Sequence, residues 1–285
     1  MKVAVTGASG FIGRYVLRQL SYRQVNVVAV TRNTSRLIGC GDGVEVVEMD
    51  IAHCSSGCFS LLGCPDILIH LAWDGLPNYK SLHHFESELP NQYSFLKTMV
   101  EEGLPSLFVT GTCFEYGMQS GVLSENIQMK PENPYGYAKD ALRRQLEFLQ
   151  TSHAFVLKWA RLFYMYGEGQ SKSSLYAMLK KAVVRGDETF NMSGGEQLRD
   201  YLPVEEIARL IVLLSVYNNE TGAVNICSGK PVSIRRLVEK WIAEKGWNIK
   251  LNLDYYPYPD YEPMAFWGDR SCLDMLLNNL SCGGL

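Results

Sequence analysis

Three residues of this sequence have the types and spacing for proton transfer. Tyr135 and Lys139 stand four apart in Pro134-Tyr135-Gly136-Tyr137-Ala138-Lys139, and Thr112 lies in Thr110-Gly111-Thr112-Cys113-Phe114-Glu115-Tyr116-Gly117. On a helix, positions four apart project from one face. An ammonium beside a phenol favours the phenolate, so Lys139 is expected to bring Tyr135 down from the usual value of about 10 towards the working pH. Thr112, on a separate element, could hydrogen-bond the same substrate oxygen and fix its orientation. A lone Tyr-x-x-x-Lys is equally a solvated pair; its place downstream of a glycine-rich turn and the Thr112 loop gives it the catalytic reading.

That turn is Val3-Ala4-Val5-Thr6-Gly7-Ala8-Ser9-Gly10-Phe11-Ile12-Gly13. A short β-branched run, Lys2 to Thr6, reads as a buried strand stopped by Gly7. Phe11, Ile12, Tyr15, Val16 and Leu20 then recur at helical spacing. Gly7, Gly10 and Gly13 suit a tight strand exit, a close approach of pyrophosphate to bare backbone, and helix-on-sheet packing. The backbone from Ser9 to Ile12 would present its N–H groups to the phosphates at the helix start. Dinucleotide binding follows from this context.

Further strands are expected at Val25–Thr31, Val44–Met49, Asp66–Leu71 and Ser106–Thr110, with a helix carrying Leu89, Tyr93, Leu96 and Val100 between the last two. The alternation implies an α/β fold, a doubly wound parallel sheet with ligands at its carboxyl edge. The second strand ends in Thr31-Arg32-Asn33, with Arg36 a turn later, where an acidic residue would select NAD(H). Arginine accommodates a 2′-phosphate, so NADP(H) is favoured and NAD(H) remains open. Asp50-Ile51 could hold the adenine edge, or Asp50 could cap a helix. Leu71-Ala72 would let the backbone pass the diphosphate. Trp73 is a pocket wall or a core indole, and Tyr164 and Arg199 are candidates on the substrate side. His70 has no partner that the sequence names, and His83-His84 are expected to face solvent.

Composition sets the class. The chain has 285 residues, is 47% hydrophobic and carries a net charge of −3, enough for a large core and no electrostatic case for nucleic acid or anionic membrane. A dinucleotide-binding domain is expected over about residues 1–160, and a smaller C-terminal α/β substrate region over about 161–285, with some segments returning to the first domain. Met1 leads directly into the first strand, and no apolar run approaches the ~20 residues of a membrane span, so a cytoplasmic protein is expected. The eight cysteines (Cys40, Cys54, Cys58, Cys64, Cys113, Cys227, Cys272, Cys282) lack zinc-type spacing and read as free thiols. In the last third, helices are expected over Ser171–Val184, Val204–Tyr217 and from a Ser233 cap through Lys245. The tyrosine- and proline-rich stretch Leu251–Glu262 reads as a pocket wall or a subunit contact.

Taken in order, Thr6-Gly7-x-x-Gly10-x-x-Gly13, His70-Leu71-Ala72, the Thr112 loop, Tyr135-x-x-x-Lys139, Ala160-Arg161-Leu162-Phe163-Tyr164-Met165-Tyr166-Gly167 and Arg199-Asp200-Tyr201-Leu202-Pro203-Val204 resemble the extended short-chain dehydrogenases/reductases acting on nucleotide sugars, the NAD-dependent epimerase/dehydratase family. The resemblance implies a Rossmann fold, a catalytic Thr112–Tyr135–Lys139 triad with Lys139 also on the nicotinamide ribose, and Arg199 on the substrate diphosphate. It also implies a homodimer formed through the helices near Leu89 and Tyr137. The departures narrow the chemistry. Cys113 and Phe114 replace the acidic pair of the dehydratases, and Phe114 replaces the cysteine of the 3,5-epimerising reductases. Tyr164 stands where the family has asparagine. Reduction of a nucleotide-linked 4-keto-6-deoxy sugar remains, as in O-antigen enzymes that form dTDP-D-fucose, with C4 epimerisation on tightly held NAD as the alternative. A non-catalytic NADP(H) sensor is a third reading, which the retained triad argues against.

Overall fold

The computed structural model describes residues 1–37, 43–54, 56–216, 221–260 and 262–282. Within them, seven parallel strands form one sheet: β1 (Lys2–Thr6), β2 (Asn26–Thr31), β3 (Val44–Glu48), β4 (Ile67–His70), β5 (Ser106–Thr112), β6 (Val156–Leu162) and β7 (Gly222–Ile226), in the order β7-β6-β5-β4-β1-β2-β3. The strand order reverses beside β1, between β2 and β4, and a parallel sheet binds ligands at such a switch point. β1 to β5 match the expected strands to within two residues at each end. β6 and β7 have no counterpart in the apolar pattern.

Helices cover both faces. α1 (Phe11–Ser21) and α5 (Val204–Ser215) bury Val16, Leu17, Leu20, Ile207 and Ile211 on one side. α2 (Leu89–Glu101) and α3 (Pro134–Leu149) bury Phe95, Leu96, Met99, Leu142 and Leu146 on the other. Burying some ten such side chains at about 1.5–3 kcal/mol each supplies most of the force that fixes this layering. A smaller core is formed by α4 (Leu175–Arg185) and α6 (Ile234–Lys245), which pack Tyr176, Leu179, Val238 and Trp241 around Phe190 and Met192. Ser174 and Ser233 start these two helices by accepting the N–H of Ala177 and Arg236, the usual satisfaction of an orphan donor in the first turn. The architecture is a doubly wound α/β sheet with a smaller C-terminal α/β region.

Of the expected positions, Cys40, Tyr217 and Tyr261 lie outside the described residues. No helix among the described residues is long and apolar enough to cross a membrane.

Candidate active site

The turn after β1 is built for close approach. Gly7 has φ +68°, and a Cβ there would lie 2.8 Å from the Ala72 nitrogen and 2.9 Å from the Leu71 carbonyl carbon. A Cβ on Gly13 would lie 2.3 Å from the Gly7 oxygen. Gly10 precedes α1 with no side chain capping the helix start, so the N–H groups of Phe11 and Ile12 are left to meet an anion. Leu71 and Ala72 flank this bare backbone. Ser9 is tied to the end of β2, its Oγ 3.0 Å from Thr31 Oγ1. These residues fit a dinucleotide diphosphate.

The adenosine end differs from the sequence reading. Arg32 is paired with Asp74, Nη1 to Oδ2 at 3.5 Å. Asn33 accepts from the Ser35 N–H at 3.0 Å and starts the 3₁₀ turn Thr34–Leu37, on which Arg36 is exposed. Asp50 takes the capping alternative: its Oδ1 accepts the Ala52 N–H at 3.1 Å, and Ile51 packs into the core beneath α2. Against partial desolvation, the Ala52 N–H, the His53 ring 3.1 Å from Oδ2 and the Arg32 charge hold the Asp50 carboxyl below its usual value.

At the centre of the carboxyl edge, Thr112, Tyr135 and Lys139 are brought together and are all buried. α3 starts with Asn133 accepting the Gly136 N–H at 2.8 Å and Pro134 at the first position, a pairing that sets the entry angle. Gly136 lets this first turn press onto the Thr112 loop, since a Cβ there would lie 2.5 Å from the Phe114 oxygen. That contact puts the Tyr135 phenol within hydrogen-bonding reach of Thr112. Lys139 Nζ donates to the Thr110 oxygen at 2.8 Å and stands 4.0 Å from the Trp73 ring centre.

The protonation states differ from the simple expectation. Burial pushes Tyr135 far up, reinforced by Tyr79, Glu115 and Cys113, against only the Thr112 hydrogen bond. Burial pushes Lys139 down to about 7, opposed by Glu115 and Glu88. The ammonium is turned to Thr110 and Trp73, so the four-residue spacing sets a common face without lowering the phenol.

Sequence reasoning missed several supporting groups. Glu115 is fully buried; it accepts the Thr112 N–H at 2.8 Å and pairs with Arg161 at 2.7 Å. It thereby fixes the backbone of Thr112, with Trp159 Nε1 donating to it from β6 at 3.0 Å. His84 is buried rather than solvent-facing: it accepts from Trp73 Nε1 at 3.1 Å, donates to the Asn78 oxygen at 2.8 Å, and packs 5.3 Å from the Tyr135 ring. His70 accepts from Thr6 Oγ1 at 2.8 Å and donates to Gln92 Oε1 at 2.7 Å, and burial drives it down to about 3, so it is neutral. The signal for His84 was available in the neighbouring Leu76-Pro77-Asn78-Tyr79, a turn that folds the chain back over the site.

Beside the triad lies a cavity of about 830 Å³, lined by Tyr79, Phe114, Tyr164, Tyr201, Arg199 and Glu262 among others. Tyr79 and Phe114 connect it to Tyr135, with ring centres 5.7 and 6.3 Å away. Tyr256 and Tyr258 of the tyrosine-rich stretch also line it. Arg199 is buried and held by Glu262 at 2.9 Å, while Tyr164 donates to the same carboxylate in a short hydrogen bond. The guanidinium expected on a diphosphate therefore has an internal partner here. Burial and the Glu262 charge push Tyr164 far up, keeping it a donor.

The model of the NAD dependent epimerase/dehydratase family matches residues 3–227. The chain belongs to this family. It is 32% identical over 272 residues, 95% of this chain and 100% of the relative, to a dTDP-6-deoxy-L-talose 4-dehydrogenase (NAD(+)) of Aggregatibacter actinomycetemcomitans. A GDP-6-deoxy-D-talose 4-dehydrogenase of the same organism is 26% identical, over 98% of this chain and 92% of the relative. Among solved structures, MoeE5 with UDP-glucuronic acid and NAD superposes with a TM-score of 0.81 at 25% identity, over 97% of this chain and 92% of MoeE5. The NADP(H) preference expected from Arg32 is overturned by these findings: MoeE5 holds NAD, and the 32% identical relative is named for NAD(+). Arg32, on which that expectation rested, is paired in the structure with a carboxylate from the loop after β4.

Proposed function

We propose that this protein transfers hydride between C4 of a nucleotide-linked sugar and NAD, with Tyr135 moving the hydroxyl proton. The observation that carries it is the buried Thr112–Tyr135–Lys139 group at the carboxyl edge, between a glycine turn fit for the cofactor diphosphate and a cavity large enough for a nucleotide sugar. When bound, NAD supplies the hydride acceptor or donor. The glycine turn and α1 start would hold its diphosphate, and Lys139 its nicotinamide ribose. Tyr135, kept protonated by burial, gives its proton to the C4 oxygen as the ketone becomes an alcohol and takes it back in the reverse direction. Thr112 hydrogen-bonds that oxygen, and Arg199, held by Glu262, lines the cavity that would take the substrate.

C4 epimerisation on retained NAD, the alternative of the sequence reading, is the form better supported. NAD replaces the exchanged NADP(H) on which the reductase reading leaned, and a Bacillus subtilis relative is described as an uncharacterized UDP-glucose epimerase. Reduction to dTDP-D-fucose has no support of its own. Net NAD-linked oxidation or reduction at C4 is the second reading, favoured by the 32% identical 4-dehydrogenase, which this chain matches over its whole length. Incubation with NAD and a panel of dTDP- and UDP-hexoses, followed by reduced-nicotinamide absorbance and product NMR, separates the two. C4 epimers without net NADH mean epimerase, and stoichiometric NADH means dehydrogenase. Neither product with any sugar would overturn the proposal.

A further inference from the structure

A dinucleotide site of this kind needs an acidic residue near the end of β2 to oppose a 2′-phosphate, and β2 here ends in Thr31-Arg32-Asn33. Three observations bring an acid from elsewhere in the chain beside Arg32. Asp74, on the loop after β4, reaches Arg32 with Oδ2 3.5 Å from Nη1. Its backbone is pinned, because the Asp74 N–H donates to Glu88 Oε2 at 3.0 Å. Glu88 is itself buried and braced by Gln92 Nε2 at 2.8 Å, and Gln92 by His70 on β4. The backbone that carries the carboxylate is thus held by a buried chain of hydrogen bonds anchored in the sheet.

We infer that Asp74 is a specificity-determining residue for the cofactor: it occupies Arg32 and sets its own charge where a 2′-phosphate would have to lie, so that the site takes NAD(H) and rejects NADP(H). The inference rests on the NAD reading above. Both side chains are more than half exposed, 62% for Arg32 and 57% for Asp74, so the pair contributes little to stability and stays within reach of a ligand. Its effect falls on discrimination: a phosphate arriving at Arg32 must displace a carboxylate whose backbone cannot retreat. Like charges brought together in this way are a standard device for rejecting a near-identical ligand.

The test needs no sugar. NADH and NADPH dissociation constants are measured by nicotinamide fluorescence for the wild type, Asp74→Asn, Arg32→Ala and the double variant. Wild type is expected to favour NADH. Asp74→Asn should tighten NADPH relative to NADH by about tenfold, the worth of one charge-assisted contact, and removing Arg32 in the same chain should abolish most of that gain. The inference is overturned if Asp74→Asn leaves the ratio unchanged, if the full gain persists without Arg32, or if NADH weakens as NADPH tightens, which would make Asp74 a direct ribose ligand. Wild type that bound neither nucleotide would overturn the NAD reading itself, and the inference with it.

Discussion

Replacing Lys139 by methionine should stabilise the protein while stopping catalysis. Lys139 is 2% exposed, and burial pushes its ammonium from 10.5 down to about 7. In the unfolded chain it keeps its ordinary value, so between about pH 7 and 10.5 the unfolded state binds more protons and wild-type stability rises with pH. Below pH 7 both states are protonated and the whole cost of charging the buried group is borne, of order 4–5 kcal/mol from the displacement. The lost bond to the Thr110 oxygen offsets about 1–3 kcal/mol of this in the variant. Methionine matches the length of the stem and needs no partner. Lys139→Met should therefore be more stable than wild type by about 2–3 kcal/mol near pH 6, with the difference falling through zero between about pH 7 and 10 and ending with wild type the more stable by the worth of the bond to Thr110. Urea unfolding at several pH values reads this directly. A variant less stable than wild type near pH 6, or a difference that does not change with pH, would refute the reasoning.

Other perturbations follow from the same geometry. Gly13→Ala places a methyl 2.3 Å from the Gly7 oxygen; overpacking at backbone should cost about 1–3 kcal/mol and weaken NADH at least about tenfold, read by thermal unfolding and fluorescence titration. Gly136→Ala forces the first turn of α3 off the Phe114 oxygen, so turnover should fall by about a hundredfold while NADH binding holds. Glu262→Gln leaves the buried Arg199 without its carboxylate and should cost about 3 kcal/mol in urea unfolding.

How far the fold could be read depended on whether charge sat inside the sheet. β1, β2, β4 and β5 are short, mainly apolar runs with clean stops, and β3, at the sheet edge, sets its valines among the exposed Glu45 and Glu48. β6 hides its strand character because Lys158 and Arg161 interrupt it; their charges are satisfied internally, by the Ser215 oxygen at 2.8 Å and by Glu115. β7 begins at Gly222 and carries Asn225, whose amide donates to the Leu123 oxygen at 2.8 Å, a pairing 102 residues away in sequence that no local pattern reveals. At the site, the residues with helical or turn spacing came together as expected: Gly7, Gly10 and Gly13, and Tyr135 with Lys139 and Thr112. What stayed hidden were long-range partners. The direction of the Lys139 ammonium depends on Trp73, the burial of His84 on the same indole, the state of Arg199 on Glu262, and the cofactor on Asp74 rather than on the end of β2.

The most direct test of C4 hydride transfer through Tyr135 uses a nucleotide sugar carrying deuterium at C4, incubated with NAD and either wild type or Tyr135→Phe. Mass spectrometry then follows the label. Hydride chemistry at C4 predicts deuterium on the nicotinamide of the reduced cofactor, released or trapped on the protein after rapid quenching, and none with Tyr135→Phe although that variant still binds NADH. Turnover with the label never reaching the nicotinamide, or with Tyr135→Phe as active as wild type, would contradict it.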